Sequence, residues 1–332
     1  MKKILITGAS GFVGSFLVAE CLKREKLNVF AGVRATSNRT YLQDERIHFF
    51  EMDFNDIPNL EKQLKKERFD FIIHNAGIVA APKNEDYFRV NYTLTKNFVN
   101  ALVEADSVPE KFTYISSLSA YGPADSNDLS DFVKEEDQPH PLTSYGKSKL
   151  AAEQFLRKQE LFPSIIIRPT VVYGPREKEL LTFFKYINRG WEPYVGFKKQ
   201  HLTFIYVKDL ARAVIDAAIS GSIVHKAYFL SDGQFYTPQG LSKIARQILK
   251  KKTFKFYVPI GLTRLVAFLM ETTGKMSGRF PILNLEKVDE LESRNWKCDF
   301  QPLWDDIRFR PQYDLESGLR ETLLWYKKNN WL

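Results

Sequence analysis

The sequence predicts an α/β fold, in which a doubly wound parallel sheet is followed by a smaller mixed α/β C-terminal lobe. Three observations support this prediction. The chain opens with a short apolar run, a glycine-rich turn and a helical pattern. Short apolar strands then alternate with helical segments up to about residue 170, after which the pattern becomes mixed and irregular. Each alternation of strand and helix predicts a parallel, right-handed unit.

The composition is that of a folded protein, since 44% of the 332 residues are hydrophobic and 27% are charged. The net charge of +8 is distributed among acids, so we expect no nucleic-acid partner. Cys21 and Cys298 lie far apart without metal-ligand spacing, so neither a disulfide nor a metal site is expected. No signal peptide or membrane span is recognisable, and we expect a cytoplasmic protein.

The first strand, Lys3 to Thr7, leads into a glycine-rich turn, and a helix is expected from Phe16 to Leu22. Glycines let the backbone approach a pyrophosphate closely, and a helix N-terminus offers free N–H groups to phosphates. The glycine spacing differs from the G-x-G-x-x-G form of the dinucleotide fingerprint. We nevertheless predict that the turn binds a dinucleotide through Gly8, Ser10, Gly11, Phe12, Val13 and Gly14.

The second strand, Val29 to Val33, ends at Arg34, where a doubly wound fold contacts the adenosine ribose. An acidic residue there would bind the 2′-hydroxyl of NAD, whereas an arginine pairs with the 2′-phosphate of NADP. Arg34 therefore predicts NADP, with NAD as the alternative and Arg39 as a second contact. The competing interpretation of Arg34 is a solvated loop residue.

Further strands are expected at Ile47 to Glu51, Phe69 to His74 and Ser164 to Arg168. Ligands of open parallel sheets bind at the carboxyl ends of the strands. The residues that follow these strands are therefore predicted to contact the cofactor, and they are Asp53, Phe54, Asn75, Ala76, Gly77 and Pro169.

A phenol and an ammonium lie one helical turn apart at Tyr145 and Lys149, in a helix expected to continue through Leu156. A tyrosine titrates near pH 10, so it exchanges protons at neutral pH only if a nearby cation favours the phenolate. Lys149 is placed to do so, and Tyr145 and Lys149 are also predicted to contact the cofactor. A solvated helix with a chance Tyr-x-x-x-Lys spacing is the alternative.

Two other polar residues occupy informative positions. Asn91 lies in a helix expected from about Asp86 to Ala105, and Ser117 follows the fifth strand, Lys111 to Ile115. An acidic loop over residues 123–141 precedes the helix of Tyr145, where it either covers a site or is simply solvated.

The change of pattern near residue 175 predicts two domains. We assign residues 1–174 to the dinucleotide-binding domain, with 207–233 returning to its sheet, and 175–332 to a substrate-binding lobe. Within this lobe Leu202 to Tyr206 is expected to form a strand, and Thr237-Pro238 has the pattern of a helix N-cap followed by proline.

Several motifs in this order resemble the extended short-chain dehydrogenase/reductase superfamily, in its epimerase/dehydratase-type branch, which has a Rossmann fold. They are Thr7-Gly8-x-x-Gly11-x-x-Gly14, Asp53, Asn91, Ser117, Tyr145-x-x-x-Lys149, Arg168-Pro169-x-x-Val172-Tyr173-Gly174-Pro175, Val207-x-Asp209-Leu210-Ala211 and Leu315-Glu316-x-Gly318-Leu319-Arg320-x-Thr322. The resemblance implies a catalytic set in which Tyr145 is the general acid and base, and Lys149 lowers its pKa and holds the nicotinamide ribose. It also implies that Ser117 binds the reacting oxygen and that Asn91 supports Lys149.

Departures from the family patterns bear on the substrate. Leu118-Ser119 stands where sugar-nucleotide dehydratases carry an Asp-Glu pair, and Leu202 stands where epimerases often carry a pyrophosphate-binding arginine. The stretch Val33 to Thr36 is similar to dihydroflavonol reductases and 3β-hydroxysteroid dehydrogenases. We therefore expect an NADP-dependent oxidoreductase acting on the carbonyl or secondary alcohol of a lipophilic substrate, such as a sterol-like or 3-oxo-sphingolipid compound. A nucleotide-sugar epimerase and a non-catalytic NAD(P)-binding sensor are the alternatives.

Apolar residues near strand ends are the candidates for contact with this small-molecule substrate, with core packing as the alternative, and they are Val79, Leu118, Tyr173 and Leu202. The apolar stretch 259–270 is expected to line a pocket, rest on a membrane surface or pack the second lobe. Arg264, Lys275 and Arg279 would then meet anionic head groups. We also expect a homodimer with peripheral membrane contact.

Overall fold

A computed structural model describes residues 1–124, 128–221, 223–277 and 283–332. Its strands are β1 Lys2–Thr7, β2 Leu27–Val33, β3 His48–Glu51, β4 Phe71–His74, β5 Lys111–Ile115, β6 Ser164–Pro169, β7 Val171–Tyr173, β8 Trp191–Val195, β9 Phe204–Tyr206, β10 Ala227–Leu230 and β11 Phe254–Val258. Its α-helices are α1 Phe12–Cys21, α2 Ile57–Glu67, α3 Asn84–Tyr87, α4 Leu94–Glu104, α5 Ser144–Arg157, α6 Glu179–Asn188, α7 Val207–Ile219, α8 Pro238–Leu249, α9 Ile260–Ser277, α10 Leu285–Glu292, α11 Gln301–Asp306 and α12 Leu315–Lys328. A π-helical segment, Phe88–Thr93, and a 3₁₀ turn, Leu118–Ala120, complete the regular structure of these residues.

Seven strands form one parallel sheet in the order β10-β6-β5-β4-β1-β2-β3. The last residue of β1, Thr7, pairs with Gly32 on one side and with His74 on the other. His74 in turn pairs with Tyr114 of β5, so these strands end at the same edge. The predicted α/β doubly wound class is confirmed, and the residues expected at strand ends lie along one edge of the sheet.

The sheet is covered on both faces, as a parallel sheet requires. Alternate residues of β1 point in opposite directions, since Ile4 and Ile6 belong to one buried apolar cluster and Leu5 to another. The first cluster includes residues of α1 and α7, and the second includes residues of α2, α4 and α5. Continuous apolar runs in the sequence thus become strands that are buried on both sides.

The predicted boundaries differ from the structure in two places near the site. Helix α1 begins at Phe12 rather than at Phe16, because Gly11 has extended backbone angles and serves as the N-cap. The helix expected from Asp86 to Ala105 is interrupted by the π-helical segment, which contains the buried Asn91. In both cases the apolar pattern of the sequence continues across the change in backbone geometry, so the pattern alone does not reveal the change.

The C-terminal lobe has its own apolar cluster, formed mainly by residues of α6, α8, α12, β7 and β9. Helix α8 begins as predicted, with the backbone N–H of Gly240 donating to Oγ1 of the N-cap Thr237 at 3.0 Å. Strand β9 is shorter than expected and starts at Phe204. Within the described ranges, no helix is both long and apolar enough to cross a bilayer.

Candidate active site

Helix α5 presents three functional side chains on one face, at intervals of four residues. They are Tyr145, Lys149 and Glu153, and the helix starts at the N-cap Thr143, whose hydroxyl accepts a hydrogen bond from the backbone of Gly146 at 3.1 Å. Residues four apart lie one above the other on a helix. The arrangement therefore continues from the predicted phenol and ammonium to a buried carboxylate that the sequence analysis did not identify.

Ser117 lies beside Tyr145 at the end of β5. Its hydroxyl accepts a hydrogen bond from the backbone N–H of Ser119 at 3.1 Å, which fixes the 3₁₀ turn that follows. Burial raises the pKa of the Tyr145 hydroxyl, and a hydrogen bond with Ser117 acts in the opposite direction. The predicted fall in the pKa of Tyr145 is therefore not seen, because the cost of burying a phenolate outweighs the hydrogen bond.

Lys149 is buried and held by the backbone. Its Nζ atom donates to the carbonyl oxygen of Ile115 at 2.8 Å and lies 4.9 Å from the centre of the Tyr114 ring. Burial lowers the pKa of Lys149 to about 8, and the negative charge of Glu153 opposes this shift. The pKa of Lys149 is therefore well below that of a solvated lysine.

Asn91 joins the π-helical segment to the loop after β4. Its side chain accepts a hydrogen bond from the N–H of Ile78 at 2.8 Å and donates to the carbonyl of Ile78 and to Oγ of Ser148, both at 3.0 Å. A Cβ atom at Gly77 would lie 2.9 Å from Oδ1 of Asn91 and 3.3 Å from Nζ of Lys149. Asn91, Lys149 and the Gly77 loop are thus packed together at the π-helical segment.

A buried histidine forms part of this framework, although the sequence analysis assigned it no role. His74 lies between two threonines, with Nδ1 2.9 Å from Oγ1 of Thr7 and Nε2 3.0 Å from Oγ1 of Thr95. The Thr95 hydroxyl donates to the carbonyl of Asn91 at 2.8 Å, so it accepts from Nε2 of His74. Burial lowers the pKa of His74 to about 3, and the charge of Lys149 adds to the effect. His74 is therefore neutral and links β1 and β4 to Asn91.

Glu153 also forms an ion pair with a residue of the sheet. Arg168 of β6 is fully buried, and its guanidinium donates to both carboxylate oxygens of Glu153 at 2.6 to 3.0 Å. The hydroxyl of Ser116 donates to the same carboxylate, and Glu135 binds Arg168 from the acidic loop. This network fixes the acidic loop and the C-terminal half of α5 to the sheet. It consists of Arg168, Glu153, Ser116 and Glu135.

The glycine turn has the shape of a phosphate cradle. Gly8 has a φ of 66°, and a Cβ atom added there would lie 2.9 Å from the backbone of Ala76. A Cβ atom at Gly14 would lie 2.1 Å from the carbonyl oxygen of Gly8, so only glycine fits at either position. The N-cap Gly11 has no side chain to satisfy the first N–H groups of α1. The turn therefore fits a dinucleotide pyrophosphate, with Ser10, Phe12 and Val13 at its rim.

The predicted adenosine contacts lie at the ends of β2 and β3. Arg34 is exposed, and its positive charge helps to keep the pKa of Asp53 low, after the hydrogen bonds that this carboxylate accepts from Asn55. Arg39 differs from the prediction, because its guanidinium pairs with Glu51 and lies over the Phe49 ring. Arg34 thus has a more open position than Arg39 for binding an anion.

The other predicted cofactor residues lie at the same edge of the sheet. Phe54 lies in the loop after β3, and the centre of its ring is 5.7 Å from the centre of the His74 ring. Asn75 and Ala76 follow β4, and the N–H of Ala76 donates to the hydroxyl of Thr7 at 3.1 Å. Pro169 ends β6 and is buried beside Leu230 of β10.

Helix α10 closes the site from the C-terminal lobe. Glu286 accepts hydrogen bonds from the backbone N–H of Ser144 at 2.9 Å and from its hydroxyl at 2.6 Å, directly before Tyr145. Glu290 lies 3.5 Å from the hydroxyl of Ser119, two residues after Ser117. The acidic edge of α10 is thereby fixed next to the candidate catalytic groups.

A lysine connects this edge to α6. Nζ of Lys287 is 2.9 Å from a carboxylate oxygen of Glu290 and 4.0 Å from one of Glu179. The negative charges of Glu179 and Glu290 also contribute to the raised pKa of Tyr145, after burial. The cleft beside Tyr145 therefore has a charged edge. No helix was predicted from the sequence at this position.

The four predicted substrate residues are not brought together. Leu118 and Tyr173 are buried, the first against Tyr121 and Phe229 and the second in the core of the C-terminal lobe. Leu202 packs at the edge of that core, whereas Val79 is 60% exposed on the loop after β4. For Leu118 and Tyr173 the core alternative holds, because apolar side chains that follow buried strands extend the same core.

A model of the "NAD dependent epimerase/dehydratase family" matches residues 4–223. The chain is 25% identical to the UDP-glucose 4-epimerase of Vibrio cholerae over 97% of this chain and 94% of that protein. It is 24% identical to the ceramide reductase of Caulobacter vibrioides over 99% of this chain and 96% of that protein. Among solved structures, the dTDP-glucose 4,6-dehydratase of Bacillus anthracis in complex with NAD superposes with a TM-score of 0.79, at 20% identity over 99% of this chain and 98% of that one.

Proposed function

The chain belongs to the NAD-dependent epimerase/dehydratase family and is an enzyme of the extended short-chain dehydrogenase/reductase type; on that premise we propose that it is a nucleotide-sugar epimerase. The observation that carries this proposal is the charged edge of the cleft, formed by Glu179, Lys287 and Glu290. The carboxylates of Glu179 and Glu290 and the ammonium of Lys287 already pair with one another, and they can also form hydrogen bonds with the hydroxyl groups of a sugar. An apolar ketone offers no such hydrogen bonds and would lie against these charges.

The proposed roles follow from the geometry around α5. Tyr145 takes the proton of the substrate hydroxyl and later returns it, while Ser117 holds the same oxygen. The proposed role of the Lys149 ammonium is to oppose the effect of burial on the pKa of Tyr145 and to stabilise the phenolate during proton transfer, while Asn91 keeps the adjoining loop in place. A bound nicotinamide dinucleotide supplies the hydride acceptor and donor.

A group of cations supports a substrate that contains phosphates. Leu202 stands where epimerases often carry a pyrophosphate-binding arginine. The neighbouring His201 has a pKa lowered by burial and by the positive charges of Lys297, Lys199 and Arg294. Cations therefore lie near His201, the neighbour of Leu202, so the absence of an arginine at position 202 does not by itself argue against a nucleotide sugar.

The lipophilic substrate is the second candidate. It is favoured by the exposed apolar side chains of α9, among them Leu265 and Leu269, and by the relative named ceramide reductase. The charged edge of the cleft and the relatives named as sugar-nucleotide enzymes support the epimerase better. We therefore place the nucleotide-sugar epimerase first and the lipophilic reductase second, which is the opposite of the order expected from the sequence.

The proposal is tested by incubating the protein with UDP-glucose, UDP-glucuronic acid and dTDP-glucose and following the sugar by NMR. We expect an epimer to form without net consumption of cofactor. Stoichiometric oxidation of NADPH with a long-chain 3-oxo compound, and no change in any nucleotide sugar, would favour the second candidate. Glu290→Gln should raise the KM for the sugar about tenfold or more, whereas Glu292→Gln on the same helix should not.

For the cofactor we propose NADP, on the basis of the exposed guanidinium of Arg34. Arg34→Asp should weaken NADPH binding by at least about tenfold and leave NADH binding nearly unchanged, because a charge-assisted contact is replaced by repulsion. Arg39→Asp is the matched control, since Arg39 already pairs with Glu51. Titration of each cofactor by fluorescence measures the affinities. Equal affinities of the wild-type protein for NADPH and NADH would contradict the assignment.

Four further statements stay proposals. We assign residues 1–174 and 207–233 to the cofactor-binding part and the rest of 175–332 to substrate binding, in agreement with the pairing of β10 with β6. We also retain a homodimer, a cytoplasmic location and peripheral membrane contact as expectations of the sequence.

A further inference from the structure

Helix α9 has an unusual distribution of side chains. Over residues 260–273 of this helix, whose side chains the structure describes, the two buried residues are Thr263 and Ala267, which are small and lie one turn apart. Its large apolar side chains are 39 to 54% exposed, and they are Leu262, Leu265, Val266, Phe268, Leu269 and Met270. A helix that only packs the core buries its large apolar residues. The outer face of α9 therefore has the character of an interaction surface.

Exposed aromatic rings continue this surface along β8 and β11. Phe254 is 65% exposed and Trp191 is 50% exposed, and the two rings meet edge to face at 6.1 Å. Strand β11 ends at Val258, two residues before α9 begins. Tryptophan is enriched at membrane–water interfaces, and phenylalanine is common on the apolar face of helices that lie on a membrane surface.

Cations gather at the other end of β11. A groove of about 350 Å³ is lined by Lys243, Arg246, Gln247, Lys250, Lys251 and Lys252, and the last of these precedes Phe254 by two residues. Arg246 is paired with Glu192 at 3.2 Å, which leaves the lysines to define the charge of the groove. One five-residue strand, about 15 Å long, thus separates the lysines from α9.

We propose that α9, the exposed rings of β8 and β11 and this lysine groove form a docking surface for an anionic lipid bilayer. Apolar side chains would enter the boundary of the acyl chains, while the lysines meet phosphate head groups. The charge favours a bilayer over a second copy of the chain, because a two-fold contact through this surface would bring the lysines of both copies into one interface.

The cations of the docking surface differ from those expected from the sequence. Arg264 pairs with Asp289 and Glu292 of α10, at 2.7 Å each, so its charge is neutralised within the protein. The side chain of Lys275 and the whole of Arg279 lie outside the described residues. The pairs of Arg264 instead join α9 to α10, the helix that forms the edge of the candidate active site.

The proposal is tested by cosedimentation with vesicles, a measurement that needs no substrate. The wild-type protein should bind vesicles that contain about one third phosphatidylglycerol, bind phosphatidylcholine vesicles at least about tenfold more weakly, and dissociate as salt is raised. Leu265→Glu/Leu269→Glu and Lys251→Glu/Lys252→Glu should each reduce the bound fraction about tenfold.

The matched controls alter exposed residues elsewhere. Leu161→Glu/Leu324→Glu and Lys62→Glu/Lys65→Glu should bind anionic vesicles as the wild type does. If the glutamate variant of α9 unfolds, Leu265→Gln/Leu269→Gln replaces it, with the melting temperature as the check on folding.

Three results would overturn the proposal. These are no binding of the wild type to anionic vesicles, full binding by the α9 variant, and a wild-type dimer that the α9 variant converts to a monomer without any vesicle binding. Tyr145→Phe should bind vesicles normally. Failure of the docking surface is therefore distinguishable from failure of the proposed epimerase.

Discussion

Tyr145→Phe is expected to lower kcat by about 10²- to 10⁴-fold, while the affinity for NAD(P)H stays within a few-fold of the wild type. The substitution removes only the hydroxyl that meets Ser117 and the substrate oxygen, and leaves the ring and its packing in place. The turnover of the nucleotide sugar measures the first quantity, and fluorescence titration of the cofactor measures the second.

Tyr92→Phe is the matched control for this experiment. Tyr92 is half-buried next to Asn91, but its ring packs on Phe155 of α5 and on the apolar core. Its loss of a hydroxyl should leave turnover unchanged. Activity of Tyr145→Phe within a few-fold of the wild type would show that another group transfers the proton.

Local sequence patterns were sufficient for the sheet and for the edge at which its strands end. The ends of the parallel strands are fixed by short apolar runs followed by polar residues or glycine, so Arg34, Asp53 and Asn75 could be placed without knowing the packing. The pair Tyr145 and Lys149 was also predictable, since a spacing of four residues in a helix determines which face they share.

The groups around this pair were not predictable in the same way. His74 and Glu153 gain their roles from contacts with residues that are distant in sequence, such as Thr7 and Arg168. Glu290 reaches Ser119 across 171 positions of the chain. Periodicity describes one element at a time and contains no information on which helix closes the cleft.

The same limit explains the errors in the substrate set. Tyr173 was placed at the end of a strand and expected to face a ligand. In the structure its hydroxyl donates to the carbonyl of Asp314 at 3.2 Å, and its ring lies against Gly318 of α12. Gly318 leaves room for this ring, a fit that becomes visible only when the C-terminal helix is packed against β7.

The buried network of Glu153 leads to the second large effect. The side chains of Arg168 and Glu153 have at most 1% of their surface exposed, so the charge of each depends on the other. Removing one partner of a buried ion pair leaves a charge without compensation, whereas replacing both with apolar groups is often nearly neutral. Glu135 would still contact Arg168 if Glu153 lost its charge, so the expected loss in the free energy of unfolding is at the low end of the usual range for a broken buried pair.

Glu153→Gln is therefore expected to lower the free energy of unfolding by about 3 kcal/mol, as measured by urea denaturation at pH 7. Glu153→Met/Arg168→Met should be closer to the wild type than this single variant, and the corresponding double-mutant cycle isolates the interaction of the pair. A loss below about 0.5 kcal/mol in Glu153→Gln would show that Glu135 alone compensates Arg168.

The pH dependence of stability provides a separate test of Glu153, through Lys149. Burial lowers the pKa of Lys149 from 10.5 to about 8, so between these values the unfolded chain binds more protons than the folded one, and stability rises with pH. The charge of Glu153 holds this pKa up, so Glu153→Gln should lower it further and start the rise at a lower pH. Urea unfolding between about pH 6 and pH 10 measures the shift, with Lys149→Met removing it from both backgrounds. An unchanged profile in Glu153→Gln would mean that Glu153 supports only the fold and does not act on the charge of Lys149.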